Sequence, residues 1–399
     1  MNRVNISFII ITSIVLISAA VAQQSKAPDY DALAQKLVNQ CANIKEGQMV
    51  YIVGSERDLT LLENITVQVR KAGAFPLLSI TNDRLEHRLY DDVPSKYDSQ
   101  VDGMTKLMYN AVDAIIRIEA SEKLDLLADI PVDRKVARSK AEATLGDILI
   151  KRNVRAVNLG NDLYPIAARA KQYHMNQAQL AEIFWAGVNT DYNKLQAIGR
   201  SLKELLVEAK DVQITSPSGT NLSVKITGQR PYVSDGIITD ADLKEGYAGS
   251  NTYLPAGEIY VTPVPGTAQG KVIVDKFFFE GKEIKRLVLE FKDGKLMSMS
   301  AAIGLAPLKA LYDAVSDAKD EFAFVDFGFN PDVVIPPGSS MDAWMVSGMV
   351  TVGIGNNIWA GGENKSRFSL SLHQLSGTVK LDGKILIDKG KLKLLEEKK

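Results

Sequence analysis

In the second half of the chain stands the run Tyr253-Leu254-Pro255-Ala256-Gly257-Glu258-Ile259-Tyr260. Its β-branched and aromatic residues, continued to Thr262, predict a short strand that begins at Glu258. A carboxylate at the start of a strand faces either solvent or a cleft, and the sequence leaves both interpretations open.

The region around this run predicts many short strands. From about residue 212 the strand-like runs are Val212–Thr215, Leu222–Thr227, Glu258–Thr262, Lys271–Val274, Arg286–Phe291, Met349–Ile354, Thr378–Leu381 and Lys384–Ile387. Asp293-Gly294 and Asp382-Gly383 predict hairpin turns, because this pair of residues tolerates positive φ. One predicted helix, Ala306 to Asp320, interrupts the strands. The second half is therefore predicted to be a β-rich α+β unit.

The first half alternates helical and strand patterns. The predicted helices are Tyr30–Cys41, Leu59–Ala72, Val132–Lys151 and Gln177–Phe184, and the predicted strands are Val50–Val53, Pro76–Ile80, Ala114–Ile118 and Val154–Leu159. Such alternation favours a largely parallel sheet covered by helices. No Gly-x-Gly-x-x-Gly opens any of these helices, which leaves a dinucleotide or P-loop site without support.

The N-terminus has the pattern of a cleavable signal peptide. Asn2-Arg3 is a short positive region, Phe8 to Ala20 is apolar, and Ala20-Val21-Ala22 is a small-residue cleavage site. We therefore expect a periplasmic or secreted protein, without stable membrane insertion after cleavage. The length of the remaining chain favours two domains, residues 23–205 (α/β) and 206–399 (β-rich).

Composition narrows the class of partner. Charged residues make up 24% and apolar residues 46% of the chain, as in ordinary soluble proteins. The net charge of -1 gives no electrostatic basis for binding nucleic acid or an anionic membrane. The single cysteine, Cys41, excludes an internal disulfide. It follows Leu37 by one helical turn, which predicts a buried apolar thiol rather than a nucleophile.

Five blocks of the sequence together resemble the M29 (thermophilic-type) metalloaminopeptidases. In chain order, which is also the family's order, they are Trp185–Tyr192, Tyr253–Tyr260 with Pro263–Gly270, Asp326–Pro331, Gly361–Ser366 and Ser371–His373. The resemblance implies an α/β N-terminal domain followed by a β-rich domain that carries a metal cleft. It also implies a homodimer that releases N-terminal residues from peptides with divalent metals such as zinc, cobalt or manganese.

The resemblance implies that some of the family's metal ligands are kept in this chain and others are replaced. Glu258, Asp326 and His373 match ligand positions, whereas Thr351 replaces a histidine and Leu375 replaces an aspartate. The family's catalytic acid and tyrosine fall on the apolar residues near 346 and 358, so no catalytic residue is assigned. Three protein ligands suffice for one metal and not for the usual pair. The prediction is one divalent metal, or none.

Several of these residues have a second interpretation. Asp326 could cap a turn before Asn330-Pro331, and His373 could be a hydrogen-bonded cleft histidine. Trp344 and Trp359 could line a pocket or pack the core. The loop at Gly361-Gly362 is expected to bound the substrate pocket.

Three functions remain open at this stage. The first is an exported metal-dependent aminopeptidase with an altered site. The second is a catalytically inactive relative that binds a peptide or small molecule in the former cleft. The third, a ring-cleaving iron dioxygenase, ranks last, because such sites usually need two histidines and the second half contains only His373.

Overall fold

The computed structural model describes residues 29–395. The predicted signal segment, residues 1–22, lies outside them. The α-helices are α1 Tyr30–Gln35, α2 Leu59–Lys71, α3 Asp83–Asp91, α4 Gly103–Ala111, α5 Val132–Arg152, α6 Ala167–Gln172, α7 Gln177–Asn189, α8 Tyr192–Glu208, α9 Asp240–Lys244 and α10 Ala306–Ala314. A π-helix, Lys36–Cys41, continues α1.

The strands lie mostly in the second half. They are β1 Met49–Ser55, β2 Phe75–Thr81, β3 Ala114–Ile118, β4 Arg155–Leu159, β5 Asp211–Thr215, β6 Asn221–Lys225, β7 Tyr232–Ser234, β8 Asn251–Leu254, β9 Glu258–Val261, β10 Gln269–Phe279, β11 Lys282–Lys292, β12 Lys295–Ser300, β13 Phe322–Gly328, β14 Val350–Gly355, β15 Ser369–Gln374, β16 Thr378–Leu381, β17 Lys384–Asp388 and β18 Lys391–Leu392.

The first sheet is parallel, as the alternation of helix and strand predicts. Its order is β2-β1-β3-β4-β8, and every neighbouring pair is parallel. Strand β8 comes from beyond residue 205, so a strand of the β-rich half completes the sheet of the first half. The domain boundary near residue 205 stays a prediction.

The other two sheets are antiparallel and confirm the β-rich second half. One has the order β12-β11-β10-β6-β5-β16-β17-β18, and the other, here called the cleft sheet, has the order β15-β14-β13-β9-β7. The predicted hairpin turn at Asp293-Gly294 is present with φ values of 51° and 76°. The turn at Asp382-Gly383 likewise joins β16 to β17.

The structure corrects two local predictions. Helix α10 ends at Ala314 and not at Asp320, because Val315 is buried and takes an extended conformation. Strand β13 was not predicted, since every one of its residues is buried and the run shows no alternation of apolar and polar positions.

Cys41 lies in the core with no exposed surface, as predicted. Burial raises the pKa of its thiol to about 12, so it stays protonated and unreactive at neutral pH.

Among residues 29–395, no helix combines the length and apolar character needed to cross a membrane.

Candidate active-site cleft

One face of the cleft sheet carries a row of polar side chains across all five strands. Strand register places Tyr232 beside Tyr260, Tyr260 beside Asp326, Asp326 beside Thr351, and Thr351 beside His373. Side chains in one register row point to the same face of a sheet. The strands that carry Glu258, Asp326 and His373 therefore present these three side chains on one face.

Asp326 and Glu258 are diagonal neighbours on that face. Glu258 lies opposite Gly328, two residues along β13 from Asp326, which corresponds to roughly 7 Å between such positions. Asp326 is 0% exposed and Glu258 is 3% exposed. The solvent-facing interpretation of Glu258 is therefore wrong. So is the turn-cap interpretation of Asp326, which lies inside a strand.

No positively charged side chain of the described residues pairs with Glu258 or Asp326. Neither oxygen of Asp326 has a hydrogen-bond partner, and Glu258 accepts one hydrogen bond, from the Asn161 side-chain amide. Burial raises the pKa of both carboxyls, and the charge of Glu258 raises that of Asp326 further. A buried carboxylate pair of this kind is costly unless a proton or a cation neutralises it.

His373 forms a hydrogen bond with its neighbour across the sheet, Thr351. Nδ1 of His373 and the Thr351 hydroxyl share a hydrogen bond of 2.8 Å. The imidazole also packs edge-on against Trp344, with ring centroids 5.1 Å apart. Removal of water around the ring lowers the pKa of His373, which favours the neutral form. His373 is thus a hydrogen-bonded histidine of the cleft sheet.

These residues do not fit the family's pair of metals. Thr351 separates His373 from Asp326 by a full strand, so the two lie roughly 10 Å apart along the row. Within residues 29–395, no three His, Cys, Asp or Glu side chains are grouped so that they could hold a metal ion. The unpartnered oxygens of Asp326 beside Glu258 do fit a single hard cation completed by water or substrate. The role of His373 as a third ligand stays a prediction.

A cavity of about 530 Å³ opens beside Glu258, and Asp326 lies buried behind its wall. Glu258 lines it from the cleft sheet, and Trp344, Trp359, Ser369 and Ser371 form one wall. The opposite wall comes from the parallel sheet and the loops that follow it: Arg117, Glu119, Asn158, Leu159, Asn161, Asp162 and Tyr253. The site is therefore built by both halves of the chain.

The residues from the first half were missed by sequence reasoning. Glu119 follows β3 directly, and Asn161 and Asp162 follow β4 after Gly160. These are the carboxyl ends of parallel strands, the edge at which open α/β sheets bind ligands. That rule, applied to the predicted strands Ala114–Ile118 and Val154–Leu159, would have identified them.

Three aromatic rings form the apolar side of the cleft. Phe324 stacks on Trp344 with ring centroids 5.8 Å apart and meets Trp359 edge-on at 5.0 Å. The neighbouring Gly353 leaves room for the Phe324 ring, since a Cβ there would lie 2.1 Å from it. Trp344 and Trp359 thus both line the pocket and pack together.

The Gly361-Gly362 loop does not bound this cavity. It lines a separate cavity of about 570 Å³ together with the segment Thr262–Ala268. The expectation that it borders the substrate pocket is therefore wrong for the pocket that contains Glu258. Leu375, at the position of the family's aspartate, is exposed beyond the end of β15.

The comparisons with known proteins agree with this architecture. The family model described as thermophilic metalloprotease (M29) matches residues 27–328. Wild-type AmpT from Thermus thermophilus has a similar structure, with a TM-score of 0.71 and 15% identity over 91% of this chain and 98% of that one. No curated protein matches the sequence.

A second solved structure carries a different activity. The 2,5-dihydroxypyridine dioxygenase from Pseudomonas putida KT2440 matches with a TM-score of 0.55 and 14% identity, over 91% of this chain and 95% of that one. At such identities both likenesses establish the fold alone. The choice of function depends on the residues of the cleft.

Proposed function

We infer that this chain, which belongs to the thermophilic metalloprotease (M29) family, is a hydrolase of the aminopeptidase type with an altered centre that takes one divalent cation. The observation that carries the proposal is the Asp326 carboxylate, fully buried beside Glu258 with both oxygens unpartnered. Fold stability alone gives no reason to keep two such groups together, whereas cation binding does.

Glu258 and Asp326 would hold the cation, which would polarise a scissile carbonyl and lower the pKa of a bound water. The chain's own groups position the partners of that reaction. The Asn161 amide donates to Glu258 and fixes the orientation of its carboxylate. The Trp344 indole N–H donates a hydrogen bond of 3.2 Å to Asp162, which holds the Asp162 carboxylate at the cavity wall. The N-terminal ammonium of a peptide would pair with this carboxylate.

Export and dimerisation belong to the same proposal. The signal-peptide pattern of residues 1–22 supports export to the periplasm or beyond. A homodimer is what membership of the family suggests. Peptides are then the expected partners, and nucleic acid is not.

The proposal is tested with trialanine and its N-acetylated form as substrates. Release of alanine from trialanine should require manganese, stop with chelator, and be absent for the acetylated peptide. Asp326→Asn should abolish release, whereas Asp313→Asn, at an exposed carboxylate on α10, should retain it. Release that persists in chelator or in Asp326→Asn would contradict the proposal.

The inactive binding cleft remains the second candidate. The Thr351–His373 hydrogen bond supports it, because it uses Nδ1 of the histidine in a contact within the protein. Calorimetry separates the two functions. Trialanine binding without alanine release under every metal condition would establish the binding protein.

A further inference from the structure

Arg117 lines the same cavity as Glu258, and no acidic side chain of the described residues pairs with it. It lies on β3, where its guanidinium donates to the Asn158 side-chain oxygen at 3.0 Å. Its charge also faces the hydroxyls of Tyr109 and Tyr247, which are neutral at physiological pH. Within residues 29–395, no carboxylate forms an ion pair with Arg117. The cavity therefore contains an uncompensated positive charge.

The uncompensated negative charge lies elsewhere in the cavity. Asp162, which accepts a hydrogen bond from the Trp344 indole at the cavity wall, forms no ion pair with a lysine or arginine of the described chain. Glu119 differs, because Arg169 pairs with it at 2.7 Å, and Glu258 is assigned to the cation. Arg117 and Asp162 thus give the cavity two side chains of opposite charge that have no ion-pair partner among residues 29–395.

Arg117 and Asp162 line one cavity from neighbouring strands. Arg117 lies on β3 and pairs with Asn158 on β4, and Asp162 follows shortly after the end of β4. The cavity that both residues line has a volume of about 530 Å³, which is within the range of sites for small ligands. It therefore suits a short peptide rather than a long one.

We propose that the cleft selects short peptides with both ends free, dipeptides and tripeptides, with the N-terminal ammonium at Asp162 and the C-terminal carboxylate on Arg117. This inference rests on the proposed function and adds a limit on substrate length. A guanidinium suits the task, because its planar fork binds a carboxylate through two parallel hydrogen bonds. A longer peptide or an amide-capped one has no carboxylate to place at that position.

The test compares trialanine with trialanine amide by calorimetry in buffer containing manganese. The wild-type protein should bind the free acid about tenfold more tightly, as expected for a charged hydrogen-bonded contact at a partly exposed site. Arg117→Gln should reduce the ratio of the two affinities to near one, and Arg117→Lys should restore part of it. Arg88→Gln, which removes an exposed arginine of α3, should leave the ratio at its wild-type value.

The outcomes separate this inference from the function on which it rests. Equal binding of the acid and the amide, with N-acetyl-trialanine excluded, would overturn the length limit and leave the aminopeptidase proposal standing. Failure of all three peptides to bind would overturn both. A ratio that stays at tenfold in Arg117→Gln would show that another group recognises the carboxylate.

Discussion

The hydroxyl of Thr351 lies 2.8 Å from Nδ1 of His373, across neighbouring strands β14 and β15 of the cleft sheet. The contact makes a neutral pair of the last two residues in the polar row of the cleft sheet. It leaves Glu258 and Asp326 as a separate pair of buried carboxyl groups on the same face.

Breaking the Thr–His contact should destabilise the protein. Thr351→Val keeps the shape of the side chain and removes the hydroxyl, which leaves Nδ1 of His373 without its partner. We expect a loss of about 1–2 kcal/mol in the free energy of unfolding, measured by urea denaturation. The double variant with His373→Leu should cost less than the sum of the two single changes. Strict additivity would show that the hydrogen bond contributes nothing.

Gly353→Ala should disturb the aromatic side of the cleft. The added methyl would stand 2.1 Å from the Phe324 ring, so the ring must move away from Trp344 and Trp359. We expect about 1–3 kcal/mol of destabilisation, with a change in tryptophan fluorescence. Gly146→Ala is the matched control. It lies in α5 with open space around it and should be neutral or slightly stabilising.

Asp235 should make stability depend on pH. Burial raises the pKa of its carboxyl to about 7 in the folded state, against about 3.9 in an unfolded chain. The folded state then binds the proton more tightly, so stability falls as pH rises from about 4 to about 7.

Asp235→Asn should remove this pH-dependent loss of stability. The increase in the free energy of unfolding over the wild type should be near zero at pH 4 and on the order of 2 kcal/mol at pH 8, after allowance for partial exposure. Thermal unfolding at both pH values measures it. Asp332→Asn, at an exposed position, should show no such pH-dependent gain, and a gain of equal size at both pH values for Asp235→Asn would refute the assignment.

Arg169 should be needed to keep Glu119 charged at the cavity wall. The two side chains are only 8% and 22% exposed and form an ion pair of 2.7 Å. Arg169→Met leaves a buried carboxylate unpaired and should cost about 3 kcal/mol at pH 8. Adding Glu119→Gln should recover part of that loss. Arg88→Met, which breaks an exposed pair with Asp92, should cost less than about 1 kcal/mol.

The sequence predicts the elements whose pattern is local. Strand β3 matches the prediction residue for residue, and the Asp-Gly hairpin turns are present because their positive φ values depend only on two neighbouring residues. Strand β13 was missed, since full burial removes the alternation that reveals a strand. Its burial between β9 and β14 is a property of the folded sheet and leaves no local signal.

The site could be predicted only in part for a similar reason. Glu258, Asp326 and His373 were selected from the family's blocks, and the structure places all three on one face of one sheet. The hydrogen bond between Thr351 and His373 depends on the register of β14 and β15, which the spacing of residues in the sequence does not reveal. Arg117 and Asp162 lie in the other half of the chain, and only the folded arrangement brings them to the cleft.

Binding of one divalent cation by Glu258 and Asp326 can be measured as manganese bound per chain, by elemental analysis after equilibrium dialysis of the mature protein. We expect one manganese in the wild type and none in Asp326→Asn or Glu258→Gln. His373→Ala should still bind one, because the imidazole of the wild type is bound to Thr351 and not to the cation. A wild type that retains no manganese, or an Asp326→Asn variant that retains as much as the wild type, would contradict cation binding by this pair.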